Sequence, residues 1–336
     1  MKTRTFGTTD LLCSEIGFGT WALGSDWWGK VTSGQGHNLL RRALDLGVTF
    51  FDTGNVYGLG ANEEIVGKAL AGVPRESVQI STKVGYVLEG GRQQHSQGER
   101  PQDWSPAHVR SSLESSLRRL GTDYVDLYQL HNPRMDAVER DDVFEELERL
   151  RGEGSLRHYG VALGPAIGWR EEGLRALRER AIASVQTVYN VLEQDPGRDF
   201  LEAAQRSGAG VMARVPTSSG LLEDKYTLET TFPPHDHRSH RPREWLVDGL
   251  QKVERLRFLC DGHGLTMAQA AIKFILAQEA IACVLPTITD ERELEEWAEA
   301  SDKPDLTDAD LARVADLYER NFDVRTHPTG TQPTFA

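Results

Sequence analysis

Eight short apolar runs, each followed by a stretch whose apolar residues recur at helical spacing, constrain this chain more than any other feature. The runs are Ile16 to Trp21, Phe50 to Asp52, Val78 to Lys83, Tyr124 to Leu130, Ser155 to Leu163, Ser184 to Tyr189, Gly210 to Val215 and Ala282 to Pro286. After the first, Leu39, Leu40, Ala43, Leu44 and Leu46 form a helical stripe that Gly47 ends. Further helices are expected at Glu63 to Leu70, Val143 to Arg151, Trp169 to Arg180, Asp199 to Ser207, within Glu244 to His263, Met267 to Gln278 and Glu291 to Ala300. Ser105 followed by Pro106 is an N-cap with proline at the first helical position, and that helix runs to Leu120 and Gly121. Strands alternating with helices at this interval argue for a parallel sheet, and eight of them for a sheet closed into a barrel.

The predicted class is therefore α/β, a (β/α)8 TIM barrel. Thr3 to Phe6, the turn Gly7 to Asp10 and Leu11 to Ser14 read as a β-hairpin ahead of it. Thr307 to Arg320, with Asp308 and Asp310 in its first turn, reads as an added C-terminal helix. Barrels with insertions reach 336 residues, and no Pro/Ser-rich linker interrupts the chain, so one domain over 1–336 is expected, with a loose tail from about 322 to 336. Val87 to Asp103 and Glu223 to Arg243 are the two long loops.

A net charge of −13 argues against nonspecific nucleic-acid binding, which rests on Lys and Arg neutralising phosphates. The 3 cysteines, Cys13, Cys260 and Cys283, show no CxxC spacing and fit reduced thiols. Neither a signal-peptide pattern at Met1 to Phe6 nor a membrane-spanning apolar run is present, and a cytoplasmic protein is expected.

Three successive strands end in chemistry. Phe50-Phe51-Asp52 runs into a glycine-rich turn that carries Tyr57 between Gly54 and Gly58; Ile80 to Lys83 ends in a lysine; Val125 to Leu130 leads to His131. Alone, such an Asp caps a turn, such a Lys is solvated and such a His is structural. Together, in a parallel barrel, they would collect at the mouth formed by the strands' carboxyl ends.

In this order the four residues resemble the aldo-keto reductase family, whose pattern is Asp and Tyr after the second strand, Lys ending the third and His ending the fourth. The resemblance runs from Phe6 to about Tyr318. It implies an enzyme that reduces an aldehyde or ketone to an alcohol, with hydride from NADP, the family default, or NAD. Tyr57 would be the proton donor, Lys83 the cation that eases its ionisation, Asp52 the partner of Lys83, and His131 the group orienting the carbonyl. The hairpin would plug the barrel floor.

For the cofactor, the resemblance implies Gly19, Thr20 and Trp21 on one side, Gln186 at the carboxamide, Arg214 against the nicotinamide, and the turn Pro216, Ser219, Gly220. Lys225 and Arg238 would meet the pyrophosphate, and Thr287, Thr289, Arg292, Glu293 and Glu296 the adenosine end. Three departures stand out. Ala162 and Leu163 occupy the place of the usual Ser-Asn pair, which removes two side-chain hydrogen bonds to the carboxamide. Arg214 replaces an aromatic residue and reads equally as a rim arginine in a salt bridge. Glu293 stands where Gln or Arg is usual, with Trp297 in place of Asn, and a carboxylate there would repel a ribose 2′-phosphate.

Trp27 and Trp28, with Trp169, are candidate walls for a small carbonyl substrate, or else pack the rim. His235 and His237 invite a rival reading, a metal-dependent hydrolase using Asp52 and His131, but such hydrolases carry their His pair on the first strand, where this chain has Gly17-Phe18-Gly19-Thr20. A second rival is a cofactor-binding regulatory subunit or redox sensor with little turnover.

Overall fold

The strands are β1 (Thr3–Thr5), β2 (Leu12–Ser14), β3 (Phe18–Gly19), β4 (Phe50–Asp52), β5 (Gln79–Val84), β6 (Val125–His131), β7 (Leu156–Ala162), β8 (Ser184–Val188), β9 (Gly210–Arg214) and β10 (Ile281–Leu285) in a computed structural model. It describes residues 1–24, 28–29, 31–88, 100–164 and 169–325. Trp27, and the tail beyond 325, lie outside the described residues.

β3 to β10 form an 8-stranded sheet in sequence order, every pairing parallel. Parallel bridges Ile16 to Val284 and Gly19 to Thr287 join its two edges, so no edge is left open. The strands are buried on both faces because helices cover the outside, which is why they appear in the sequence as continuous apolar runs. Covering helices begin where short polar side chains cap them. Thr32, Ser105, Thr266, Asp290 and Thr307 each accept a backbone N–H three residues on. Gly121 and Gly208 end helices in the left-handed region.

β1 and β2 pair antiparallel and close the barrel floor. Phe6, Leu11 and Cys13 from the hairpin pack with Phe50, Leu127, Met212, Ala282 and Cys283 in one buried cluster. Above this apolar floor the barrel interior turns polar, with Asp52, Ser81, Lys83, Gln129 and Gln186 all buried. Polar groups at that depth need partners, and those partners set the geometry of the mouth.

The helix expected within Glu244 to His263 is present, and the expected tail is corrected. The stretch Glu244 to His263 forms a helix at Arg243–Arg255 and a separate turn at Phe258–Asp261, with Leu256 fully buried at the break. The tail does not loosen at 322: Phe322 and Val324 are buried, and the Phe322 ring packs edge-on against Tyr318 with centroids 6.1 Å apart. The turn that carries the ring there has three left-handed residues, Asn321, Phe322 and Asp323, and Asn321 Nδ2 ties it by donating to the Val324 carbonyl at 2.7 Å.

Candidate active site

Asp52 closes β4 and Lys83 lies one residue before the end of β5, so both side chains rise from the polar layer toward the mouth. Lys83 Nζ donates to Asp52 Oδ2 at 2.7 Å and to the Thr53 carbonyl at 2.6 Å. Gln129 Nε2 donates to the other Asp52 oxygen at 2.9 Å and to Ser81 Oγ at 2.7 Å. Asp52 is thus held from two sides, and the fully buried ammonium has a fixed anion. Burial pulls the Lys83 pKa down, but Asp52 and then Tyr57 more than offset it, so the group stays charged above the ordinary lysine range.

The turn carrying Tyr57 depends on glycine. Gly58, Leu59 and Gly60 have φ of 57°, 55° and 96°, and an added Cβ at Gly54 would lie 3.2 Å from the Tyr57 ring. The ring therefore lies against its own turn, with Lys83 Nζ 4.9 Å from its centroid. Asn62 fixes the turn to the loop after β3: its Nδ2 donates to the Thr20 and Leu23 carbonyls, while its Oδ1 accepts from Thr20 and Thr53 hydroxyls at 2.6 Å each.

His131 ends β6 and meets Tyr57 edge to face, with centroids 5.8 Å apart. Tyr86 packs on it from another side at 5.0 Å, and its hydroxyl accepts from Asn132 Nδ2 at 2.8 Å. Gln102 anchors this strand end by donating to the His131 and Asn132 carbonyls at 3.0 and 3.1 Å. Burial, then the charges of Lys83 and Arg214, hold the imidazole pKa well below its ordinary value, and Nδ1 is buried without a hydrogen-bond partner. A neutral ring with a spare nitrogen, a phenol and a charged ammonium converge at one mouth.

A family model described as the aldo/keto reductase family matches residues 15–319. The chain belongs to the aldo/keto reductase family. A protein called NADH-specific methylglyoxal reductase, from Escherichia coli (strain K12), is 29% identical over 95% of this chain and 99% of its own. Probable aldo-keto reductase 1 of Glycine max is 30% identical, over 86% of this chain and 81% of its own. The solved glycerol dehydrogenase of Gluconobacter oxydans superposes with a TM-score of 0.82 at 28% identity, covering 98% of this chain and 99% of that one.

Aldo-keto reductases use NAD(P)H, and buried donors left over at the mouth fit such an anionic dinucleotide. Arg241 Nη2 donates to Ser219 Oγ at 3.2 Å while its buried Nε has no partner. Ser218, Ser219 and Gly220 follow one another at φ of 48°, 57° and 92°, and the Ser218 and Gly220 amides donate to the Val215 and Thr217 carbonyls at 3.1 Å each, which holds the turn tight. Pro216 is buried beneath this turn.

Other nominated residues stand differently from the expectation. Lys225 is clamped between Glu223 and Glu293, 3.1 Å from the latter; burial pulls its pKa down, but these two carboxylates more than offset that and bring it to about 12. Arg238 forms a two-pronged pair with Asp236 at 2.8 and 2.6 Å and lies 4.2 Å above the Trp28 ring. Both cations are committed to nearby carboxylates, and the donor left over beside Ser219 is Arg241. The Gly19 and Thr20 amides donate to the Pro286 and Asp52 carbonyls at 3.1 and 3.0 Å, closing the barrel.

Trp21 packs against Trp28, centroids 5.9 Å apart, and edge-on against His237 at 5.8 Å. Trp169 is 3% exposed beneath the Arg134 guanidinium, so it packs the rim and does not wall a pocket. Gln186 is buried with Nε2 3.4 Å from Gln129 Oε1. Thr287 bridges to Gly19. Glu293 accepts from the Thr289 amide and hydroxyl at 2.9 and 2.7 Å; Arg292 is exposed, and Glu296 is half-buried. Trp297 is a core residue, 2% exposed.

Arg214, at the end of β9, makes no ion pair among the described residues; its Nη2 donates to the Leu163 carbonyl at 2.9 Å. The rim salt bridge is therefore absent among those residues. No three His, Cys, Asp or Glu side chains among the described residues form a metal-ligand group, and Asp52 is already bonded to Lys83 and Gln129. No helix is long and apolar enough to cross a membrane among the described residues.

Proposed function

We propose that this chain is a carbonyl reductase that turns a short polar aldehyde or ketone into an alcohol, with Tyr57 as proton donor and NADH as the preferred hydride source. When bound, the nicotinamide supplies the hydride that no side chain can. The chain's own residues handle the proton and the negative charge that grows on the carbonyl oxygen. The observation carrying this reading is the Lys83 ammonium, 2.7 Å from Asp52 Oδ2 and 4.9 Å from the Tyr57 ring centroid.

A phenol with an ordinary pKa of about 10 gives up its proton reluctantly near neutrality. A buried ammonium beside it stabilises the phenolate left behind, so transfer to the carbonyl oxygen becomes easier. Asp52 and the Thr53 carbonyl keep that ammonium in place. His131 stays neutral and orients the carbonyl by hydrogen bond, without competing as a charged acid. Tyr86 and Trp28 contribute aromatic surface near the mouth.

NADH over NADPH is supported at the adenosine end. Glu223 and Glu293 share one cation, Lys225, which leaves surplus negative charge where a 2′-phosphate would approach. The relative named as an NADH-specific methylglyoxal reductase agrees with this preference and with a small carbonyl substrate. The test is a panel of short aldehydes, 2-oxoaldehydes and hydroxyketones, offered to the purified protein with NADH and with NADPH. Steady oxidation of NADH with at least one of them is expected; no turnover of either dinucleotide across the panel would overturn the reading.

A further inference from the structure

Arg214 is a cation without an anion in contact. Its strand β9 lies between β8 and β10, paired in register with Val188 and Leu285. Its side chain reaches past the end of β8 to the carbonyl of Leu163, just beyond β7. The acids that act on it do so from beyond ion-pair distance, and both are engaged: Glu193 accepts from Asn190 Nδ2 and Ser218 Oγ, Asp52 from Lys83 and Gln129. The guanidinium is half-buried, and its one bond among the described residues, to the Leu163 carbonyl, leaves it further N–H donors and its charge to offer a ligand.

The position of that charge matters because of what must come near it. A carbonyl held by Tyr57 and His131 has its carbon within a few Å of them, and the hydride-bearing ring must lie within about 3.5 Å of that carbon. Arg214 reaches this neighbourhood by its bond to the Leu163 carbonyl, since Ala162, the residue before it, pairs in register with His131.

We propose that Arg214 is a specificity-determining residue for the redox state of the cofactor: its positive charge makes the chain bind the neutral reduced nicotinamide more tightly than the cationic oxidised one. The inference rests on the reading of this mouth as a nicotinamide site. Losing hydride gives the ring a positive charge, and a fixed guanidinium nearby repels it. By linkage, tighter binding of the reduced form raises the midpoint potential of the bound couple, a tenfold affinity ratio corresponding to about 30 mV for two electrons. The oxidised dinucleotide then leaves readily after carbonyl reduction, while the on-enzyme equilibrium shifts toward alcohol oxidation.

Titrating NADH and NAD⁺ separately into the full-length protein, by tryptophan fluorescence quenching at fixed neutral pH and ionic strength, tests this without turnover. The compared proteins are wild type, Arg214→Lys, Arg214→Met and Arg214→Gln, the last retaining a donor for the Leu163 carbonyl. Wild type should favour NADH. The ratio Kd(NAD⁺)/Kd(NADH) should fall roughly tenfold in the Met and Gln variants and stay within about threefold of wild type in Lys. An unchanged ratio in the neutral variants, including equal weakening of both forms, overturns the proposal, as does an equal fall in Lys. Wild type binding neither dinucleotide would instead bring down the functional reading on which it rests.

Discussion

The rings of Tyr57 and His131 meet edge to face, with centroids 5.8 Å apart and planes at 87°, so phenol and imidazole flank one small volume at the barrel mouth. Of the two, the phenol is the proposed proton donor at neutral pH, because the imidazole is held neutral by burial, Lys83 and Arg214. The sign of the pH dependence follows: a depressed imidazole pKa keeps His131 neutral through the range around its ordinary value of about 6.5. A pH profile of kcat/KM should therefore show no titration there, and His131→Gln should lower kcat by about a hundredfold without changing the profile's shape. An acid limb near 6.5 that vanishes in His131→Gln would contradict this assignment.

Asp52 is the only carboxylate paired with Lys83 among the described residues, and Asp52→Asn leaves the ammonium fully buried without its anion. Breaking such a pair costs about 3–5 kcal/mol. Since the folded Lys83 pKa is raised, the stabilisation is present below the ordinary lysine value of about 10.5 and is lost only as pH climbs through the higher folded value. Denaturant titrations should show a constant wild-type advantage across the neutral range, narrowing only in strong alkali. A difference that already narrows between mildly acid and neutral pH would point to another group.

The barrel was legible because strands covered on both faces leave unbroken apolar runs, and because glycine and capping residues punctuate them. Asp52, Tyr57, Lys83 and His131 were legible because each closes or follows such a run. Gln129 was not: it sits mid-strand, and its bond to Asp52 joins residues 77 positions apart on β6 and β4, a relation created across the barrel interior by the registers of both with β5. Asn62 was hidden in the first turn of a helix whose start carries no side-chain cap, while its real role is to tie two loops together. That Lys225 and Arg238 stand paired with carboxylates was not legible, because a loop cation shows its partner only once the fold places the neighbouring acid, as Asp236 is beside Arg238. Phe322 followed the last predicted helix with no periodicity to announce its burial.

The proposed preference for NADH can be tested at Glu293. Replacing it in Glu293→Gln removes one of the two carboxylates sharing Lys225, leaves that cation paired with Glu223 alone, and takes one negative charge away from the proposed adenosine end. The NADPH to NADH ratio of kcat/KM should rise by roughly tenfold, equivalent to about 1.4 kcal/mol. Steady-state kinetics with both dinucleotides and one aldehyde would measure it, and a ratio unchanged or lowered would remove Glu293 from the account.

The claim on which the rest depends is that Tyr57 delivers the proton from a site organised by Lys83. Tyr57→Phe keeps the ring that packs on Gly54 and His131 and deletes only the hydroxyl. The deciding measurement is single-turnover oxidation of bound NADH by an excess of aldehyde, beside the NADH dissociation constant of the same variant. A fall of about a thousandfold in the chemical step with NADH binding within a few fold of wild type is expected. A chemical step that stays within a few fold of wild type would contradict the account.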